Sequence, residues 1–233
     1  MNFRLFAGIA LLLVLSPAGS FELAPYRATY TLSHANVVLA QAHYVLEHLG
    51  EDQWALASDI TPSPWLTWWR QDHIQEHSRF QLVPGATLPD RYRMRYDSPN
   101  GTQIESITFD HVHQRAITQF RDRETELATP ANAMDRLSLQ IAIRQAAASG
   151  EKEFSCVLLE RDRVRAHHFR VEQAQSLQTA AGRFETVRVV QTNARQPMVF
   201  WLAPKAGYLP IRLQTNRSDR QFRLDLLELD GNF

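Results

Sequence analysis

From Tyr26 onward apolar residues return at every second position: Tyr26, Ala28, Tyr30 and Leu32 share one face, while Arg27, Thr29, Thr31 and Ser33 share the other. A period of two belongs to a strand with one face buried and one in water. The pattern resumes after a turn at 33–36 in Val38, Ala40, Ala42, Tyr44 and Leu46, and again after Gly50-Glu51-Asp52 in Trp54, Leu56, Ser58 and Ile60. Strands joined by turns this short form an antiparallel meander. Further strands are predicted over 73–83, 92–97, 102–109, 115–121, 154–160, 165–172, 185–192, 198–203, 209–214 and 222–229. Turn residues separate most of them, at Pro84-Gly85, Ser98-Pro99-Asn100-Gly101, Gly182 and Ala206-Gly207.

One stretch breaks the period. Thr129-Pro130-Ala131-Asn132 supplies capping residues, Met134, Leu137, Ile141 and Ala142 follow at helical spacing, and an alanine run closes at Gly150. A single helix is therefore predicted over 132–147. A sheet of ten or more strands curls or splits rather than staying flat. The predicted fold is mainly β: a strongly curved antiparallel sheet or incomplete β-barrel with one mid-chain α-helix packed on its concave face. No repeat or linker divides residues 21–233, which are read as a single domain.

Residues 1–20 have the layout of a secretory signal peptide: Arg4 near the start, an apolar run from Leu5 to Leu15, then Ala18 and Ser20 before Phe21. Eleven apolar residues rise only about 16 Å as a helix, against a hydrocarbon core of about 30 Å, so cleavage after Ser20 is expected rather than a transmembrane anchor. No cysteine near the cleavage point offers a lipid-attachment site. The expected product is exported, soluble and not a lipoprotein.

The chain carries 25 basic and 25 acidic residues, and loss of Arg4 leaves 24 against 25. Without a charge excess, the long-range field of a nucleic-acid binder is missing. Partners must be recognised by shape and local chemistry. The single cysteine, Cys156, excludes an internal disulfide and sits in an apolar strand segment, where a thiol serves as a small buried hydrophobe.

Nine histidines raise the question of metal. His111 and His113 would share a face if extended, His73 and His77 are four apart, and His167-His168 is a third pair; no spacing fixes a third ligand, and no zinc signature occurs. Ser138 stands beside Asp135 without a nucleophile elbow, and glycine loops for phosphates or dinucleotides are absent from the sequence. The alternation Arg121-Asp122-Arg123-Glu124 reads as a solvated strand end or loop. Neither catalytic residues nor cofactors are assigned. The most unusual segment is Pro62-Ser63-Pro64-Trp65-Leu66-Thr67-Trp68-Trp69, with three of the five tryptophans in an irregular connection. Trp65, Trp68 and Trp69 either plug one end of the barrel as core or line a mouth that meets an apolar ligand, and they are the candidate ligand-binding residues.

Three ordered segments carry a family resemblance: Asp135-Arg136-Leu137-Ser138-Leu139 opening a helix, Gly182-Arg183-Phe184-Glu185-Thr186-Val187, and Phe200-Trp201-Leu202-Ala203-Pro204 followed by Leu209-Pro210-Ile211-Arg212. Placed after a strand opening Tyr26-Arg27-Ala28-Thr29-Tyr30, they resemble the bacterial exported proteins of the domain-of-unknown-function 3108 family over residues 24–229. The resemblance implies an exported envelope protein, periplasmic in a Gram-negative bacterium, with a mostly antiparallel sheet, and supplies no catalytic residues. The fold is also loosely similar to the periplasmic lipoprotein carriers. Gly182, Pro204 and Gly207 are read as turn residues, and Pro210, lacking an amide donor, as marking a strand edge or start.

Three functions are carried forward. The first is a non-enzymatic module binding an apolar or lipidic ligand, the second an envelope scaffold or assembly factor that grips another protein through a sheet edge. The third is a metal-dependent hydrolase using surface histidines.

Overall fold

The computed structural model describes residues 21–67, 72–217 and 220–231. The chain opens with a meander: β1 (Tyr26–His34), β2 (Val37–Gly50), β3 (Gln53–Pro62), β4 (His73–Val83), β5 (Ala86–Ser98), β6 (Gly101–Asp110), β7 (Arg115–Phe120) and β8 (Arg123–Ala128). A two-residue strand, β9 (Ala133–Met134), leads into helix α1 (Arg136–Ala148). A second meander follows: β10 (Glu153–Glu160), β11 (Arg163–Thr179), β12 (Gly182–Gln191), β13 (Val199–Ala203), β14 (Leu209–Arg217) and β15 (Arg220–Gly231). All join one 15-stranded sheet, in which β1 pairs with β15 to splice the meanders and β8 and β9 stand at the two ends. The sheet curves without closing.

Alternation explains the interior. Tyr26, Ala28 and Tyr30 of β1 turn inward with Ala42, Tyr44 and Leu46 of β2 and Leu56, Phe80, Tyr92 and Ile107 of the next strands. The period is not perfect: the β1–β2 register shifts between Leu32 and Ser33, so Ser33 is buried although strict alternation placed it outside. A bulge of this kind moves the following residues to the opposite face.

Helix α1 is wedged between the meanders. Leu137 and Ile141 pack with the aromatic interior of the first, whereas Leu139, Ile143 and Ala147 pack with Cys156, Leu158, Phe169, Val189, Phe200 and Leu202 of the second. The helix starts later than its sequence suggested. Asp135 is the N-cap, not the 129–132 segment, because Ala133 and Met134 are drawn into parallel pairing with Val157 and Leu158 of β10. A second difference lies at 121–128. Arg121 adopts φ 58°, so the expected strand end is a hairpin turn and Arg123–Ala128 forms β8. Its charges hid it, since an edge strand exposed to water has little apolar periodicity to display.

Gly182 (φ 129°) and Gly207 (φ 57°) occupy the left-handed region that glycine tolerates best. Pro210 stands second in β14, between β13 and β15, so it marks a strand start rather than a sheet edge. Among the described residues no helix is long and apolar enough to cross a membrane.

Candidate functional site

One stripe of α1 is only partly covered by the meanders. Ala142, Gln145, Ala146 and Ser149 face a half-open cleft of about 570 Å³. Across from Gln145 stands the β4–β5 hairpin from Leu82 to Thr87, and Phe21, Asn132, Met134 and Phe154, Ser155 and Cys156 of β10 complete the lining with Glu151. Small residues on the helix create the space: alanine at 142 and 146 leaves unfilled the volume that a leucine would occupy. Gln145 fixes the width, its Nε2 donating to the Val83 carbonyl at 2.9 Å while Thr87 Oγ1 donates to its Oε1 at 3.4 Å. The volume falls in the range of small-molecule sites, and the lining is mainly apolar with a few polar groups. Cys156 is 4% exposed, and burial pushes its thiol up to about 12, so it lines the cleft as a hydrophobe and not as a nucleophile.

The other end of α1 is closed. Asp135, fully buried, accepts from the amides of Leu137 (2.8 Å) and Ser138 (3.0 Å) and from Ser78 Oγ (2.7 Å). Its own amide donates to Ser138 Oγ at 3.0 Å, completing a capping box. Burial still raises the carboxyl pKa above its ordinary value, the bonds it accepts from the Leu137 and Ser138 amides and the Ser78 and Ser138 hydroxyls only partly offsetting desolvation. Next to it, Arg136 Nη2 lies 3.1 Å from Glu76 and 3.8 Å from buried Glu105, and Tyr92 donates to Glu76 at 2.5 Å. Burial lowers the Arg136 pKa, but Glu76, Tyr92 and Glu105 outweigh it and hold the guanidinium above its usual range. Glu105 also accepts from the Arg161 amide at 2.8 Å. Every partner here holds another, which makes the cluster an anchor for the helix N-terminus. It escaped the sequence reading because its members come from β4, β5, β6 and α1.

Arg144, also fully buried, does not itself line the cleft. Its Nε and Nη2 donate to the Gly207 carbonyl at 3.0 and 2.8 Å, and the guanidinium lies over Tyr26 and Phe21. Nη1 finds no acceptor, and desolvation lowers the pKa. The residue latches α1 to the turn before β14.

Trp65 is 55% exposed, so it is not barrel core; its indole donates to the Val38 carbonyl at 3.2 Å, beside exposed Val37 and Val38. Trp68 and Trp69 lie outside the described residues. Trp65 follows β3, and β4 then runs eleven residues to the hairpin of the cleft. At about 3.3 Å per residue, the indole and the cleft stand beyond opposite ends of β4.

The histidines separate. The ring nitrogens of His111 lie 2.8 Å from the Ala131 carbonyl and 2.6 Å from the Pro89 carbonyl, while His113 meets Asp110 at 2.8 Å. His73 meets Asp59, and His167 and His168 point to opposite faces of β11, toward Gln191 and Ser155. No group of three or more histidine, cysteine, aspartate or glutamate side chains converges among the described residues.

A curved, unclosed antiparallel sheet with a helix wedged into its opening defines a β-barrel-like protein. The chain belongs to the DUF3108 family, proteins of unknown function, whose profile matches residues 25–226. Its fold is similar to the crystal structure of a beta-barrel-like protein of domain of unknown function DUF1849 from Brucella abortus, with a TM-score of 0.61 and 12% identity over 90% of this chain and 98% of that one. No curated protein matches the chain. Neither description names an activity.

Proposed function

We propose that the chain is an exported, non-enzymatic module that binds an apolar or lipidic ligand in the cleft beside α1. The observation that carries this reading is the contrast between a barrel interior filled by aromatic side chains and an unfilled, mainly apolar cleft of about 570 Å³ next to it. Each methylene buried there contributes about 0.8 kcal/mol, so an acyl chain needs no ion pair to bind. The signal-like layout of residues 1–20 supports export to the periplasm. Expression with this segment in a Gram-negative host, followed by N-terminal sequencing of the periplasmic product, tests that part: Phe21 as first residue is expected, and retention of residues 1–20 contradicts it.

For the ligand, a fluorescent fatty acid is titrated into the delipidated protein and into Ala146→Trp, whose indole fills the cleft. Saturable binding that falls at least tenfold in the variant is expected. Absence of binding, or equal binding in both, overturns the reading. Exposed Val37 and Val38 beside Trp65 favour a second location, an apolar rim at these three residues. Trp65→Ala separates the two: the cleft reading expects unchanged binding, the rim reading a loss.

A further inference from the structure

The β10 wall of the cleft is a strand edge. On one side β10 pairs with β11 along Glu153–Glu160, but on the other β9 covers only Val157 and Leu158. In an antiparallel ladder, alternate residues turn both their N–H and C=O away from the partner. The Val171 amide donates to the Lys152 carbonyl, which sets the phase: Lys152, Phe154 and Cys156 address β11, and Glu153 and Ser155 turn their backbone groups outward. Phe154, Ser155 and Cys156 line the cleft, so these outward groups open onto it. The far sheet edge, β8, is instead guarded by exposed Arg123, Glu124 and Glu126.

An acyl chain would cover this edge without pairing its amides and carbonyls, and burying unpaired backbone groups is costly. An extended peptide satisfies them and at the same time presents side chains at a period of two. One set would reach Met134, Ala142 and Ala146 while the other stays in water. Glu151 at the cleft and exposed Glu153 at the edge disfavour acidic segments.

We propose that the ligand is an extended polypeptide segment of a partner protein, apolar at alternate positions and free of acidic residues, which adds as a short strand beside Glu153–Cys156 in line with β9. This rests on the reading of the cleft as the binding site and narrows its ligand from apolar matter in general to a peptide. Four residues of edge span about 13 Å, so a segment of four to six residues suffices.

The test uses the chain without residues 1–20 and a capped hexapeptide alternating valine and threonine with a terminal lysine, a copy N-methylated at alternate amides, and palmitate. Saturable binding of the hexapeptide is expected, with at least a tenfold loss on N-methylation in the register that faces β10. Ser155→Pro removes an outward donor while leaving the β11 ladder intact, and should weaken the hexapeptide tenfold. Equal binding of the methylated and unmethylated peptides overturns strand addition. Palmitate binding without peptide binding overturns this proposal and leaves the apolar-ligand reading standing, whereas binding of neither overturns both.

Discussion

The two ends of α1 are held in opposite ways. At the N-terminus Asp135 and Arg136 sit in a web of Ser78, Glu76, Tyr92 and Glu105 in which each polar group meets a partner. At the C-terminus Ala142, Ala146 and Ser149 face open space, and Gln145 alone reaches across to the hairpin. A satisfied buried network specifies position and leaves nothing for a ligand. An unfilled apolar stripe on the same helix does the reverse. The difference teaches that the N-terminus of α1 is enclosed by polar partners, whereas its C-terminal half is held on one side by Ile143, Arg144 and Ala147 and keeps a cleft open on the other.

The largest effect tests the anchored end. Asp135→Ala removes the cap and orphans Ser78, and is expected to cost about 3 kcal/mol in urea unfolding. Ala146→Ser at the cleft should stay within about 0.5 kcal/mol, because no packed neighbour is lost. Equal losses at both sites would erase the contrast.

A smaller effect is the bridge across the cleft. Gln145→Ala breaks its bonds to Val83 and Thr87 and should cost about 1 kcal/mol, with faster amide exchange in the 82–87 hairpin as the local readout.

The pH dependence sharpens the picture of the buried cap. Because burial raises the Asp135 pKa in the folded state, that state holds the proton more tightly than the unfolded chain does. The stability from this linkage is fully present below the unfolded value of about 4 and is lost as pH rises through the folded value. Asp135→Asn keeps an acceptor for the Leu137 and Ser138 amides but cannot titrate. The stability of the native protein relative to this variant should therefore fall as the pH rises above about 4; a constant difference would contradict a raised pKa.

The smallest effect concerns the cleft wall. Cys156, with its thiol pushed up to about 12, should react with a disulfide reagent at pH 8 only on the timescale of opening, and at once in urea. Immediate reaction in the folded protein would mean that the wall is looser than its burial implies.

Much of the fold was legible because the inward-facing residues of β1 to β4 keep a period of two, and Leu137 with Ile141 breaks it. What escaped was long-range or polar. β8 carries charges where an inner strand carries valine, and β9 is too short for any periodicity. The start of α1 was misplaced because the pairing of Ala133 and Met134 with β10 depends on a strand some twenty residues away. The cleft was invisible for the same reason: Phe21, the 82–87 hairpin, α1 and β10 meet only in three dimensions. The tryptophan cluster stands out by composition, yet Trp65 and the cleft lie beyond opposite ends of β4.

Native mass spectrometry of the chain released from a Gram-negative periplasm without detergent tests the central claim most directly. The native protein should carry an added apolar or peptidic mass that Ala146→Trp lacks. A native protein of bare polypeptide mass, or a variant loaded to the same extent, would contradict a ligand-holding cleft beside α1.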